Sequence, residues 1–124
     1  MANVLLIEDE PAVRDALAAA VKRKGHTVVT AVNGREGMRA FDAGAFDLVI
    51  TDIIMPEQEG IQTITQLRER APDLKIVAIS GGGRTGNMDF LKIAESLGAN
   101  ATVTKPIRLA AFYGVLDECL GANR

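Results

Sequence analysis

Glu8 and Asp9 directly follow the apolar run Val4–Ile7, Asp52 follows Leu48–Thr51, Ser80 closes Ile76–Ser80, and Lys105 stands just before Pro106. Taken singly, each has an ordinary use. An aspartate after a strand caps a turn, and acids ahead of Pro11 suit the positive end of a helix dipole. Together they suggest a site. If the apolar runs are parallel strands of one sheet, their carboxyl ends share an edge, and open α/β sheets bind ligands there, where strand order reverses. Carboxylates gathered at that edge repel one another and raise a pKa unless a cation sits among them. A hard divalent ion, Mg2+ with Mn2+ as a substitute, is the natural complement, because it takes oxygen ligands and binds through a carboxylate or two plus phosphate. A carboxylate can then act as nucleophile and form an acyl phosphate. Such a transfer rests on positioning and on neutralising the equatorial oxygens of the phosphoryl group. The ion suits one oxygen, the Lys105 ammonium a second, and the Ser80 hydroxyl or a backbone N–H a third. A cis Lys105-Pro106 bond, open to any Xaa-Pro pair, would help aim the lysine into the site.

The elements that must position these residues follow from the alternation of short apolar runs with helical patterns, the signature of βαβ units and a parallel sheet. Strands are expected at Val4–Ile7, Thr27–Val32, Leu48–Thr51, Ile76–Ser80 and Ala101–Thr104. The first, third and fourth are nearly uninterrupted Val, Ile and Leu, as in strands covered on both faces. Pro11 suits the first turn of a helix, after which Val13, Leu17, Ala20 and Val21 recur at helical spacing, with Gly25 to end it. Lys22, Arg23 and Lys24 read as its solvated basic end. A second helix opens at Asn33 and runs to Gly44, weakened by Gly34 and Gly37 at about 0.5–1 kcal/mol each. Ile61, Ile64 and Leu67 mark a third that stops before Pro72. Phe90, Leu91, Ile93, Ala94 and Leu97 mark a fourth ending at Gly98, and Leu109, Phe112, Val115, Leu116 and Cys119 a fifth.

Composition narrows the partners. The 124 residues are expected to form one domain, with 48% apolar residues for its core and roughly two thirds of the unfolded surface buried. A net charge of −2 argues against nucleic acid or an anionic membrane as partner. Cys119, the single cysteine, has no partner for an internal disulfide, which fits a reducing, cytoplasmic setting. The N-terminal stretch lacks the pattern of a signal peptide, and no apolar run approaches the ~20 residues that span a bilayer. His26, the only histidine, has no histidine or cysteine neighbours and reads as a surface or capping residue. Tyr113 reads as a boundary residue beside the last helix's apolar stripe.

These motifs as a set, LLIEDEP (Leu5–Pro11), FDLVITDIIMPEQEG (Phe46–Gly60), IVAIS (Ile76–Ser80) and GANATVTKP (Gly98–Pro106), resemble the receiver domain of bacterial two-component response regulators over essentially the whole chain. The resemblance implies a single receiver domain over residues 1–124, with a flavodoxin-like, doubly wound α/β fold. Its five-stranded parallel sheet would run in the order 2-1-3-4-5 with helices on both faces, an order for which a receiver is a standard example. It implies that Asp52 is the phosphoacceptor, Asp9 a direct Mg2+ ligand, Glu8 a supporting acid through water, and the backbone carbonyl of Ile54 a further ligand. Ser80 would be the switch hydroxyl and Lys105 the cation that pairs with the phosphoryl group. A sensor histidine kinase or histidine phosphotransfer protein would supply the phosphoryl group. A downstream protein would read the fourth helix, fifth strand and fifth helix of a monomer or a phosphorylation-dependent dimer. The role is signalling, not enzymatic turnover.

Two features depart from the family pattern. The aromatic residue usual three positions before the lysine is Thr102, which places the aromatic half of the switch in question. The loop Gly81-Gly82-Gly83-Arg84-Thr85-Gly86 lacks the lysine and spacing of a P-loop and is expected to be a mobile loop near the site. Other readings stand beside this one. A receiver-fold module that binds without phosphorylation would keep output in an Asp52→Asn variant. A haloacid-dehalogenase-like phosphatase needs a second aspartate two residues beyond the nucleophile, where this chain has Ile54. A flavodoxin-like nucleotide binder would want N–H groups, not acids, after the first strand.

Overall fold

Runs of Val, Ile and Leu with no polar face must be covered on both sides, and the computed structural model, which describes residues 1–53, 59–80, 92 and 95–121, places them at the centre of one sheet. The strands are β1 (Asn3–Ile7), β2 (Thr27–Ala31), β3 (Leu48–Asp52), β4 (Lys75–Ser80) and β5 (Ala101–Thr104). All pair in parallel in the order β2-β1-β3-β4-β5. The helices are α1 (Pro11–Arg23), α2 (Gly34–Ala43), α3 (Glu59–Arg70) and α4 (Leu109–Leu120). The last is the fifth helix of the sequence reading. The helix expected around Phe90, Leu91, Ile93 and Ala94 lies outside the described residues, as do Ile54 and the loop from Gly81 to Gly86.

Strand alternation sends side chains to two cores. Leu5, Ile7, Val49, Ile76 and Ala78 meet Met38 of α2 and Ile64 and Leu67 of α3 on one face. Val4, Leu6, Leu48, Ile50, Val77 and Ile79 meet Leu17, Ala20 and Val21 of α1 and Phe112 and Leu116 of α4 on the other.

Local signals set the helix ends. Pro11 occupies the first turn of α1, and Asn33 caps α2 by accepting the Glu36 N–H through Oδ1 at 2.8 Å. The glycine read as a weakness in α2 has a structural use: Gly37 is buried, and a Cβ there would run into the Ile7 side chain. Gly60 does the same at the start of α3, where a Cβ would meet the Asp52 carbonyl and the backbone of Ile53. Only without that atom can α3 begin so close to the end of β3.

The strand limits differ slightly from expectation. β2 stops at Ala31, leaving Val32 39% exposed. β3 extends to Asp52 because that residue still pairs across to Ile79 of β4. The basic end of α1 is not a free solvated end. Arg23 donates to the Tyr113 hydroxyl at 2.9 Å, and Lys24 pairs with Asp117 at 3.2 Å while lying over the Tyr113 ring, so α1 is laced to α4. His26 acts as a cap, accepting the Ala2 N–H through Nδ1 at 3.1 Å. Among the described residues no helix is long and apolar enough to cross a membrane.

Candidate functional site

β1, β3 and β4 end together, and the residues at their carboxyl ends form the site. Asp52 is the last residue of β3 and is 2% exposed. Glu8 follows β1, its N–H bonded to the Ala31 carbonyl of β2 at 3.0 Å, and it is fully buried. Asp9 is exposed beside it, and carboxylate oxygens of Glu8, Asp9 and Asp52 lie within 4.8 Å of one another. Lys105 reaches in from the end of β5, where its own N–H bonds to the Ser80 carbonyl at 2.8 Å and its bond to Pro106 is cis. Its Nζ lies 2.9 Å from Asp52 Oδ2, 3.3 Å from Glu8 Oε2 and 3.0 Å from Glu10 Oε1.

The electrostatics follow from burial. Removal from water pushes the Glu8 carboxyl up from 4.5 to about 7. The Glu10 N–H opposes that rise, the Asp52 charge adds to it, and Lys105 opposes it again. Burial works against the Lys105 ammonium, but its hydrogen bonds to Asp52 and Glu10 outweigh that loss and hold its pKa well above that of an ordinary lysine.

Glu8 Oε2 accepts from the Glu10 N–H at 3.0 Å as well as from Lys105, whereas Oε1 has no hydrogen-bond partner among the described residues. A buried carboxylate oxygen without a donor is costly. Oε1 belongs to a side chain that clusters within 4.8 Å with two other carboxylates, a set that fits a hard divalent cation, directly or through a water. The residues present therefore suit Mg2+.

The sequence reading placed Glu8, Asp9, Asp52 and Lys105 at one edge, and they meet there. Ser80 ends β4, fully buried, one position beyond the residue paired with Asp52. Thr102 lies on β5 opposite Ala78, half-buried. The Ile54 carbonyl is outside the described residues. Glu10 was missed; its one signal is its place as the third acid in succession before Pro11. Arg14 was missed as well. It donates to the Glu8 carbonyl at 3.0 Å and so ties α1 to the acidic turn.

The model of the response regulator receiver domain family matches residues 4–117. The chain belongs to that family. The receiver domain of NtrX from Brucella abortus superposes with a TM-score of 0.87 at 26% identity, covering 97% of this chain and 99% of that one. The chemotaxis protein CheY4 of Vibrio cholerae has the same fold, with a TM-score of 0.86 at 23% identity over 97% of this chain and 99% of that one. Among curated relatives, the DNA-binding transcriptional regulator NtrC of Azospirillum brasilense is 33% identical over 122 residues, which are 98% of this chain and 25% of that protein. The transcriptional regulatory protein GlrR of Escherichia coli is 29% identical over 119 residues, 96% of this chain and 26% of that protein. The receiver thus spans about a quarter of the length of these relatives. Membership places the chain in two-component phosphorelay signalling, in which receivers work with sensor kinases.

Proposed function

We propose that residues 1–124 act as one receiver module, in the cytoplasm, that accepts a phosphoryl group on Asp52 in a Mg2+-dependent step, with Mn2+ able to replace Mg2+. The donor is a phosphohistidine on a sensor histidine kinase or a histidine phosphotransfer protein. The observation that carries this reading is the charge arrangement at Asp52. Its carboxylate clusters with those of buried Glu8 and exposed Asp9, one Glu8 oxygen has no donor among the described residues, and the Lys105 ammonium lies 2.9 Å from Asp52 Oδ2.

When bound, Mg2+ supplies charge neutralisation for a phosphoryl oxygen and for the crowded carboxylates. Asp9 and Asp52 would hold it, with Glu8 through water and the Ile54 carbonyl as a further ligand. An Asp52 carboxylate oxygen attacks phosphorus, the P–N bond to the imidazole breaks, and the imidazole leaves with a proton. Lys105 keeps its charge throughout and moves its hydrogen bond from Asp52 to the new phosphoryl oxygen. Ser80 presents its hydroxyl to another, and that movement biases the segment that follows it. With Thr102 in place of an aromatic ring, the switch runs through the hydroxyl. The surface read downstream, by protein contact and without nucleic acid or membrane, comprises the helix expected in the sequence reading around Phe90–Leu97, β5 and α4 of a monomer or a phosphorylation-dependent dimer.

The test is the intact mass of the chain after incubation with Mg2+ and acetyl phosphate, beside Asp52→Asn. One phosphoryl adduct that is absent without Mg2+ and absent in the variant is expected. An adduct that persists in the variant contradicts the assignment. No adduct and no response to beryllofluoride would favour the phosphorylation-independent module.

A further inference from the structure

Lys105 Nζ has three N–H donors and faces three carboxylates: Asp52 at 2.9 Å, Glu8 at 3.3 Å and Glu10 at 3.0 Å. The partners are not equivalent. The Asp52 and Glu8 side chains are 2% and 0% exposed and belong to the carboxylate trio, whereas that of Glu10 is 58% exposed. Glu10 is the N-cap residue of α1, yet its side chain makes no capping hydrogen bond; it reaches to the ammonium. With Lys105 it lines a groove of about 880 Å3 shared with Val13, Ala16, Pro106 and Leu109. Glu10 is thus a solvent-facing negative charge beside the cation that an incoming phosphoryl group must use.

Resting on the phosphoacceptor reading above, we propose that Glu10 is a specificity-determining residue for the phosphodonor. Its carboxylate takes the outward N–H of Lys105 and sets a negative field at the approach to Asp52, so free dianionic donors are disfavoured relative to monoanionic ones. A donor carried on a protein surface escapes the penalty when cationic side chains of that surface meet Glu10. The field of one exposed charge acting about 7 Å away on a dianion, screened by salt, changes the encounter by about two- to fivefold, and on a monoanion by less than about twofold.

The experiment compares rates of Asp52 phosphorylation, read by intact mass at subsaturating donor and saturating Mg2+, for the wild type, Glu10→Gln, Glu10→Asp and Glu10→Lys. The donors are acetyl phosphate, a dianion, and phosphoramidate, a monoanion. Glu10→Gln is expected to speed the reaction with acetyl phosphate by about two- to fivefold and that with phosphoramidate by less than about twofold. Glu10→Lys should widen the gap, Glu10→Asp should behave as wild type, and high salt should remove the difference. A purely structural role would change both donors alike and would not respond to salt; that result, or no change at all, overturns the inference while leaving Asp52 as acceptor. Failure of the wild type to take a phosphoryl group from either donor overturns the reading on which it rests.

Discussion

Replacing Glu8 with glutamine should stabilise the metal-free protein, and only where the carboxylate would otherwise be ionised. In the folded state this group titrates at about 7 instead of 4.5, chiefly because it is buried. Between those values the folded chain holds a proton that the unfolded chain has lost, so stability falls as pH rises from 4.5 to about 7 and levels off above it. At about 1.4 kcal/mol per pH unit the full penalty is about 3 kcal/mol. The opposing pull of Lys105 is already contained in that value, and relaxation and solvent near the group lower the penalty further, leaving an expected gain for Glu8→Gln of about 1–3 kcal/mol near pH 8 and a much smaller one near pH 5. Glutamine preserves the shape and keeps an acceptor for the Glu10 N–H and Lys105. Its amide nitrogen can take the position of the orphaned Oε1, where no hydrogen bond among the described residues is broken. Urea unfolding of both proteins in EDTA at the two pH values measures the gain. Saturating Mg2+ should shrink it, because the cation stabilises the wild-type carboxylate. A gain of equal size at both pH values, or a loss near pH 8, refutes the reasoning.

Two further outcomes follow from the same geometry. Gly60→Ala places a Cβ against the Asp52 carbonyl and the Ile53 backbone. It should cost about 1–3 kcal/mol in chemical denaturation and slow phosphorylation by shifting the end of β3; an alanine variant equal to wild type in both would show that α3 can retreat freely. Mg2+ affinity, measured by calorimetry, should rise with pH up to and somewhat beyond about 7 and be accompanied by proton release, because binding favours ionised Glu8. A flat profile would place Glu8 outside the metal's influence.

Much of this architecture is legible in the chain because it rests on local or periodic signals. Apolar runs without a polar face announce central parallel strands, Pro11 and Asn33 announce helix starts, and Glu8, Asp9, Asp52 and Lys105 each stand where a strand delivers its next residue to the ligand-binding edge. What the chain does not reveal is set by contacts between distant segments. Gly37 counts as a defect by helix propensity and becomes necessary only when Ile7 packs against it. Lys22, Arg23 and Lys24 read as a solvated end, and nothing in their spacing tells that Tyr113 and Asp117 of α4 wait for the last two. Arg68 looks like a surface charge of α3, yet it donates to the carbonyls of Ala71, Pro72, Leu74 and Gly98 and to Asn100, bracing the turns before β4 and β5. Glu10 was overlooked because the acid after Glu8 and Asp9 looks like helix-start charge until Lys105, 95 residues away in the chain, is seen to bond to it.

The central claim is that the phosphoryl group resides on Asp52, and chemical trapping of the acyl phosphate tests it most directly. Borohydride reduces an acyl phosphate to the alcohol with loss of phosphate, so the protein treated with Mg2+ and acetyl phosphate and then reduced should carry homoserine at position 52, found by peptide mass mapping. Homoserine at that position alone, and none when Mg2+ is withheld, is the predicted result. Reduction at Asp9 or Glu8 instead, or a phosphoryl group that resists borohydride, would contradict the account.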